Sequence, residues 1–455
     1  MRIYQNEDLK QLYIDAEVDS SWKERDFVTY AKEYMEKSKQ KVLAIGGLRG
    51  TGKTTGLLQA IRNLDACYIT AQKEEEETGA DYIAFLKETD KRYIVIDEYS
   101  WIKDRSALDK YLYTAVQNGK HIAITGTESI TLDFLNYGDL LHRVDMIHCT
   151  LFSYNEYCRL NDATPCKGTC EEYLKYGGTF ADYAIKNFDT MKNYIKTAII
   201  DNLVAYTKMP VDKASAIVYS ILYKAVCPSN LTTVPVLTNN HLSVKNFLDE
   251  FGVNPDIEFT ENELRRVKDI LEQVGVVVTV PNWEQSSSDY RMYIVNPSIT
   301  CQLILAVYEI PEVNHYILGE VYEASVMSHL YYHKLEHDKI YYLERQTPDG
   351  KNKELDIVVT QESGKCVYLF ECKLRQDDKL STKATILSDE LEDCFPDGNI
   401  EARYVVYTGK ECIKTIGDKT VIFTPLNETV EHYYCIEANK QRIEKPVPPS
   451  GLGNA

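Results

Sequence analysis

Between about residues 42 and 151, the chain alternates short apolar runs with amphipathic stretches. The apolar runs are VLAIGG, ACYIT, YIVID, HIAITG and DMIHCTL, and segments such as TTGLLQAIRNL and ALDKYLYTAVQNG lie between them. Continuous apolar runs of this length are typical of strands covered on both faces, and the stretches between them have helical spacing. The pattern therefore predicts an α/β domain built on a parallel sheet.

The pattern becomes helical after this predicted sheet. Residues 153–226 have mostly helical spacing, with an interruption at Gly177 and Gly178. Two further predicted helices follow, NHLSVKNFLDEFGV and TENELRRVKDILEQVG, and the second opens with a capping box from Thr260 to Glu263. VVVTV and YRMYIV then flank a polar loop, as in a β-hairpin. Two helices followed by a hairpin predict a winged-helix-like unit.

A third pattern begins after Pro311. A predicted helix around LGEVYEASVMSHLYYHKL precedes three predicted strands, KIYYLERQ, ELDIVVTQ and CVYLFECKL, and this order is typical of an α+β domain. The terminal segment KPVPPSGLGNA is rich in Pro and Gly, which predicts disorder. We therefore predict a multidomain α/β chain: a parallel-sheet domain at 1–152, a helical and winged-helix-like region at 153–310, an α+β domain at 311–440 and a disordered tail at 441–455.

Composition and charge narrow the class of protein. Hydrophobic residues make up 44% of the 455 positions, which is ordinary for a globular protein. The formal net charge of −18 disfavours a general polyanion binder, so contact with nucleic acid requires a local basic patch. The polar N-terminus and the lack of any apolar run near 18 residues predict no membrane insertion. Because the twelve Cys residues are scattered, we expect a reducing, cytoplasmic location.

The segment GLRGTGKTT carries a phosphate-binding pattern. It matches GxxxxGK[ST] in full and lies between a predicted strand and a predicted helix. Its glycines allow backbone amides to surround phosphates, and the helix start favours negative charge. We expect Lys53 to contact the β- and γ-phosphates of ATP and the Thr54 hydroxyl to hold Mg²⁺. The predicted nucleotide-binding residues of this segment are Gly47, Gly50, Thr51, Gly52, Lys53, Thr54 and Thr55.

Further candidates follow the later strands of the predicted sheet. At the end of YIVID, we predict that Asp97 holds Mg²⁺ through water and that Glu98 polarises the attacking water. Thr125 and Thr127 lie at the end of the next predicted strand. The hydroxyl of either residue could sense the γ-phosphate, or it could only cap the strand. We assign Thr127 to the nucleotide site. Arg143 precedes the fifth strand, where an arginine of a homo-oligomer would reach a neighbouring subunit's ATP; a structural or surface role is the alternative.

A second cluster is predicted in the C-terminal domain. Asp356 and Glu371 are separated by fourteen residues, and Lys373 shares a strand face with Glu371. Two carboxylates could hold a divalent metal, and the lysine could orient the attacking water for phosphodiester cleavage. Glu323, on the preceding helix, would complete the metal shell, and Glu354 shares a face with Asp356. The order of these elements predicts a restriction-endonuclease-like fold, whereas a binding-only or degenerate domain is the alternative.

The order of these motifs carries a family resemblance. GGLRGTGKTT, YIVIDE, TLFSYNEY, YLKYGGTF, ELDIVV and FECK together resemble the prokaryotic AAA-type ATPases whose C-terminal half is an uncharacterised domain with a PD-(D/E)xK endonuclease-like fold. The chain departs from that family at the third motif, where Thr127 and Glu128 stand in place of two serines, so the sensor assignment is weakened. The resemblance implies ATP- and Mg²⁺-binding roles for Lys53, Thr54, Asp97 and Glu98.

Two functions stay open at this point. One is an ATPase whose nucleotide state controls a fused metal-dependent nuclease, with DNA or RNA as partner and a second divalent metal in the C-terminal domain. The other is a nucleotide switch whose C-terminal domain binds nucleic acid or a protein without cleaving it. A small-molecule kinase is disfavoured, because it leaves the winged-helix-like and ExK portions without a role.

Overall fold

In the computed structural model, the chain forms two parts built on β-sheets with flanking helices, and a helical region joins them. It describes residues 1–16, 18, 22–37, 41–72, 76–126, 143–149, 151–179, 185–227, 241–284, 290–334, 338–346, 352–361, 366–395 and 399–433. In these ranges, no helix is both long enough and apolar enough to span a membrane.

The N-terminal part of the chain is built on a six-stranded sheet within the described residues, in the order β1-β3-β4-β5-β2-β6. Its strands are β1 (Arg2–Gln5), β2 (Val42–Gly46), β3 (Ala66–Thr70), β4 (Tyr93–Asp97), β5 (His121–Thr125) and β6 (Val144–His148). β1 pairs antiparallel with β3, and the other neighbours are parallel. The five strands expected from the apolar runs are therefore confirmed, and β1 is an addition at the edge.

Five helices flank this sheet in the described residues: α1 (Glu7–Asp15), α2 (Asp26–Lys37), α3 (Lys53–Ile61), α4 (Gly79–Glu88) and α5 (Ser106–Gln117). One apolar cluster packs α2 and α3 against the sheet, and a second packs α4 and α5 against it. Because both faces are covered, strand side chains on both sides avoid water, which explains the continuous apolar runs.

The middle region is helical up to a short hairpin. Its helices are α6 (Tyr154–Leu160), α7 (Lys167–Tyr176), α8 (Phe188–Tyr194), a π-helical segment (Ile195–Ile200), α9 (Asp201–Thr207), α10 (Val211–Val226), α11 (Val244–Glu250), α12 (Glu261–Gln273) and α13 (Pro297–Val307). β7 (Val277–Pro281) pairs antiparallel with β8 (Tyr290–Ile294). The capping box at Thr260 and Glu263 is present, so the predicted helix start is confirmed.

The C-terminal part begins with a long helix and continues as a second sheet. The helices are α14 (His315–His333), α15 (Asp389–Glu392) and α16 (Leu426–Tyr433); the strands are β9 (Lys339–Gln346), β10 (Asn352–Gln361), β11 (Cys366–Cys372), β12 (Asn399–Tyr407), β13 (Cys412–Ile416) and β14 (Lys419–Pro425). Within the described residues, the strand order is β13-β14-β12-β11-β10-β9. β9, β10 and β11 are antiparallel, whereas β12 is parallel to β11.

One apolar cluster centred on the middle helices reaches into both neighbouring parts of the chain. One cluster of buried side chains runs from Leu48, beside the phosphate loop, through the middle helices to Phe370 of the second sheet. The middle helices therefore form a packed connection between the two sheets. The domain boundaries expected at residues 152 and 310 stay predictions.

Candidate nucleotide site and C-terminal carboxylate cluster

The phosphate loop joins β2 to α3, and its backbone requires glycine at specific positions. Gly50 and Gly52 have φ angles of 76° and 81°, in the left-handed region that side chains disfavour. At Gly47, a β-carbon would lie 2.3 Å from the carbonyl oxygen of Cys149. The loop therefore takes its shape because its glycines accept both positive φ angles and close backbone contact.

Lys53 and Thr54 occupy the first turn of α3, directly after the loop. Lys53 is 8% exposed, and its Nζ donates to the carbonyl oxygens of Gly47 and Leu48 at 2.8 Å each. The Thr51 hydroxyl donates to the Leu48 carbonyl oxygen at 2.9 Å, and Thr55 is half-buried one residue beyond Thr54. The lysine ammonium therefore lies against the loop at a helix start, where an anion is favoured.

Asp97 lies at the end of β4, next to Thr54. The Thr54 hydroxyl donates to Asp97 Oδ2 at 2.8 Å, and the Tyr68 hydroxyl donates to the same oxygen. The amide of Glu98 donates to Asp97 Oδ1 at 2.9 Å. A hydroxyl and a carboxylate side by side are the oxygen donors that Mg²⁺ takes in nucleotide sites, so these residues fit that ion.

Glu98 follows in a left-handed conformation, with φ 54° and ψ 38°. Its Oε2 is buried and makes no hydrogen bond to any residue that the structure describes. Burial raises the pKa of Glu98, the neighbouring Asp97 raises it further, and Lys53 and Arg49 oppose the shift. A carboxylate with a raised pKa and a free oxygen beside an acidic strand end is suited to accept a hydrogen bond from water.

The remaining nucleotide-site candidates differ in their surroundings. Thr125 is fully buried at the end of β5, and its hydroxyl makes no hydrogen bond. Thr127 lies outside the described residues. Arg143 is exposed and its guanidinium lies 4.8 Å from the centre of the Tyr113 ring. The roles assigned to Thr127 and Arg143 stay predictions.

Sequence reasoning missed a buried ion pair beneath the phosphate loop. Arg25 bonds Glu156 through two nitrogens, at 3.0 and 2.6 Å, and donates to the Thr51 carbonyl oxygen at 2.7 Å. Ser153 and Glu156 form the capping box of α6, which is visible in the sequence TLFSYNEY as S-x-x-E. That signal could have marked Glu156, but nothing in the sequence pattern marks Arg25.

The predicted residues of the C-terminal cluster lie where three secondary-structure elements meet. Asp356, on β10, is 7% exposed and its Oδ2 accepts from the Cys372 amide at 2.6 Å. Lys373 Nζ lies 3.0 Å from Glu371 Oε1, and Glu371 Oε2 is buried without a hydrogen bond. Glu323 is buried on α14. The carboxylates are close enough to raise each other's pKa.

The hairpin strand β8 closes this cluster with two side chains that sequence reasoning did not name. Arg291 is 4% exposed and pairs with Glu354 and, at 3.0 Å, with Glu344. The Tyr293 hydroxyl donates to Glu323 Oε1 at 3.1 Å. Arg291 and Tyr293 are two residues apart and so point to the same face of the strand. The two-residue alternation in YRMYIV is the signal that could have paired them.

Burial and mutual repulsion raise the pKa values of acidic side chains in this cluster. Burial raises the pKa of Asp356 to about 6, against the opposing attraction of Lys373. Burial, Asp356 and Glu320 raise the pKa of Glu323 well above its usual value. Among the described residues, no three His, Cys, Asp or Glu side chains are placed to hold a metal ion. In this closed arrangement the cluster does not fit a divalent metal, and the metal assignments of Glu323, Asp356 and Glu371 stay predictions.

Two family comparisons bear on these sites. Residues 39–158 match the family described as AAA domain. Residues 39–158 form an AAA-type P-loop ATPase domain. Residues 318–428 match a family described as Domain of unknown function (DUF4143), which gives no evidence for a nuclease fold. No curated protein matches the chain.

Several solved structures are similar to this chain at low identity. A Walker-type ATPase of Pyrococcus abyssi is 14% identical, covers 63% of this chain and 99% of its own, and has a TM-score of 0.37. Cdc6p of Pyrobaculum aerophilum is 11% identical, with 65% and 98% coverage and a TM-score of 0.27. The RuvB Holliday junction branch migration motor of Thermotoga maritima is 14% identical, with 59% and 92% coverage and a TM-score of 0.27. Because these TM-scores are low, the domain assignment rests on the family match and the loop geometry.

Proposed function

We propose that the protein is a Mg²⁺-dependent ATPase whose nucleotide state acts on its C-terminal domain. The observation that carries the ATPase proposal is the 2.8 Å contact between Thr54 Oγ1 and Asp97 Oδ2, directly after a glycine-shaped loop. It joins the two oxygen donors expected to hold Mg²⁺, although they are far apart in sequence. Bound Mg²⁺ would neutralise developing charge on the phosphates.

The described side chains divide the work of ATP hydrolysis. Lys53 would exchange its two carbonyl contacts for oxygens of the β- and γ-phosphates. Thr54 and Asp97 would hold the metal side of the triphosphate, with Tyr68 and the Glu98 amide fixing the Asp97 carboxylate. Glu98 would accept a hydrogen bond from the attacking water through its free Oε2, since that oxygen has no competing donor.

Asp97→Asn tests this proposal directly. We expect Mg²⁺ to strengthen ATP binding by the wild type and to have little effect on the variant, because the amide replaces the anionic donor. Equilibrium binding of ATP, with Mg²⁺ and with a chelator, measures the difference. Asp65→Asn is the matched control, since Asp65 pairs with Lys91 on the surface of the same domain. Equal Mg²⁺ dependence in all three proteins would contradict the proposal.

Nucleotide state could reach the C-terminal domain through α6. Glu156 of this helix bonds Arg25 beneath the loop, and the neighbouring Asn155 side chain donates to the Asn427 carbonyl oxygen of α16 at 2.8 Å. One short helix therefore contacts both the nucleotide domain and the C-terminal domain. This contact supports the proposed control of one part by the other.

Metal-dependent cleavage of nucleic acid is our first candidate for the C-terminal activity. Its support is the order of α14, three antiparallel strands and a parallel strand, with Asp356, Glu371 and Lys373 at the meeting of β10 and β11. Binding of a metal that includes Glu323 would require Tyr293 to release that carboxylate, and Arg291 would have to release Glu354 on the same strand as Asp356. The proposal therefore includes an ATP-dependent opening of this cluster.

A non-cleaving switch is the second candidate, and the closure by Arg291 and Tyr293 favours it. The net charge of −18 also provides little general attraction for a polyanion. The test is cleavage of single- and double-stranded DNA and of RNA with Mg²⁺ or Mn²⁺, with and without ATP, for wild type, Asp356→Ala and Lys373→Ala. Cleavage by wild type that both variants lose supports the nuclease. No cleavage by an active ATPase supports the switch.

A homo-oligomer with a shared nucleotide site is a further proposal, and it rests on the exposure of Arg143 at the edge strand β6. Mixing Arg143→Ala with Glu98→Ala subunits tests it, because a mixed pair would restore one complete site. Recovery of ATPase activity in the mixture supports the shared site. Activity no higher than the sum of the separate variants contradicts it.

A further inference from the structure

Two carbonyl oxygens of the phosphate loop are held by side chains from outside the loop. Arg25 donates to the Thr51 carbonyl oxygen at 2.7 Å, and the Tyr194 hydroxyl donates to the Arg49 carbonyl oxygen at 3.1 Å. Arg25 precedes the matched AAA segment and Tyr194 follows it. The loop therefore receives support that its own motif does not encode.

The planar trans peptide gives this support a consequence for phosphate binding. In such a peptide, the carbonyl and the following N–H point in opposite directions. Holding the Thr51 carbonyl toward the buried Arg25 turns the Gly52 N–H away from it. The same relation links the Arg49 carbonyl to the Gly50 N–H. Because both glycines have positive φ angles and little steric restriction, they need an external contact to fix these peptide planes.

The guanidinium of Arg25 is held in place by several contacts besides the one to Thr51. Its two bonds to Glu156 form a fork, its third nitrogen also contacts Cys149 Sγ at 3.2 Å, and its guanidinium lies 4.6 Å from the Phe152 ring centre. Glu156 additionally accepts from the amides of Asp26 and Ser153. A buried, bidentate pair of this kind has one geometry available to it. It is suited to hold a peptide plane.

We propose that Arg25, fixed by Glu156, is a positioning residue for the triphosphate of ATP, acting through the Thr51 carbonyl to aim the Gly52 amide at a phosphate. The inference rests on the proposed ATPase function and deepens it. Arg25 contacts no substrate atom in this scheme. Its effect falls on ground-state and transition-state phosphates alike, so it changes KM more than kcat.

The test uses a variant that removes both buried charges together. Arg25→Met with Glu156→Gln leaves no unpaired buried charge, and the glutamine oxygen retains an acceptor for one of the two amides, of Asp26 and Ser153, that donate to Glu156. We expect the KM for ATP to rise about tenfold to a hundredfold, the range of a hydrogen bond to a charged group, with kcat changed less than about threefold. Arg159→Met is the matched control, because Arg159 lies on α6 with Glu156 but pairs with Asp26 at the surface.

The outcomes separate this inference from the proposed function. Suppose that the double variant unfolds cooperatively with the same midpoint temperature as the wild type. If its KM for ATP then equals that of the wild type, the inference about Arg25 is overturned and the proposed function is not. If the wild type itself neither binds nor hydrolyses ATP, the proposed function fails instead. If the double variant does not fold, Arg25→Lys decides: lysine cannot contact Glu156 and Thr51 together in a fork, so a raised KM supports the inference and an unchanged KM overturns it.

Discussion

The two polar clusters of this protein differ in how their side chains are engaged. At the nucleotide site, Thr54 is exposed, whereas Glu98 Oε2, like Glu371 Oε2 of the C-terminal cluster, is buried without a hydrogen bond to a described residue. At the C-terminal cluster, Asp356 and Glu323 are buried. Two side chains of the hairpin strand β8 contact the acidic residues there: Arg291 pairs with Glu354, and Tyr293 donates to Glu323. Motif spacing indicates in both cases which side chains can meet. Only the packing of distant elements decides whether a ligand can reach them.

The clusters also differ in what holds them together. The nucleotide site depends on backbone geometry, because positive φ angles at Gly50 and Gly52 set the loop and Asp97 receives three donors. The C-terminal cluster gathers acidic groups whose repulsion and burial raise their pKa values. It therefore favours bound protons or an added cation, with Arg291 supplying part of the compensating charge. We expect substitutions at the two clusters to have different signatures, in binding at the first and in stability at the second.

The largest effect is expected for Lys53→Ala. Because the ammonium is the main positive charge on the loop, ATP affinity should fall by two orders of magnitude or more, on the order of a charge-assisted contact to phosphate. Thermal unfolding without nucleotide should change little. Lys10→Ala, which removes an exposed lysine paired with Glu7, is the control. Unchanged ATP affinity in Lys53→Ala would remove the phosphate-loop assignment.

Glu98→Gln should separate binding from turnover. The amide keeps the size of the side chain but accepts a proton far less readily, so we expect kcat to fall about 10²- to 10⁴-fold with ATP affinity retained. Phosphate release and equilibrium ATP binding measure the two quantities. The exposed Glu88→Gln is the matched control. Equal losses of affinity and turnover would indicate a structural role for Glu98.

Arg291→Met should act on stability and leave the nucleotide site unaffected. It removes the buried guanidinium that pairs with Glu344 and Glu354, whose side chains are 31% and 20% exposed, and losing hydrogen bonds between charged groups costs about 1.5–3 kcal/mol. Urea unfolding should show this loss, with unchanged ATP affinity. Arg345→Met is the control, because Arg345 is 40% exposed in its pair with Glu284 and should cost about 1 kcal/mol or less. Similar small costs for both variants would contradict the closed cluster.

The smallest effect concerns pH and Asp356→Asn. With a pKa raised to about 6, ionised Asp356 is disfavoured in the folded state, so its contribution to stability is full below the unfolded pKa and is lost as pH rises through 6. The variant lacks this loss, so it should gain about 1–3 kcal/mol over wild type at pH 7.5 and clearly less at pH 4.5. Urea midpoints at both pH values measure it. The exposed Asp256→Asn serves as control. A gain independent of pH would contradict the burial of this charge.

Much of the first sheet could be predicted from sequence, and less of the second. Strands covered on both faces have continuous apolar runs, so five strands could be predicted, and the phosphate loop could be predicted from its motif. The edge strand β1 is short and only partly buried, so it has no such run. Beyond β11, the sequence pattern predicts no strands, although β12, β13 and β14 belong to the second sheet. The contact between Arg25 and Glu156 spans 131 positions, and no local periodicity records such a pair.

The most direct test of the central claim is steady-state phosphate release from ATP by the full chain as Mg²⁺ is titrated, with Lys53→Ala measured alongside. Our account predicts that wild type releases phosphate only when Mg²⁺ is present and that Lys53→Ala releases none at any Mg²⁺ concentration. Release by wild type that is independent of Mg²⁺, or equal release by Lys53→Ala, would contradict the assignment of Lys53, Thr54 and Asp97 to an ATP site.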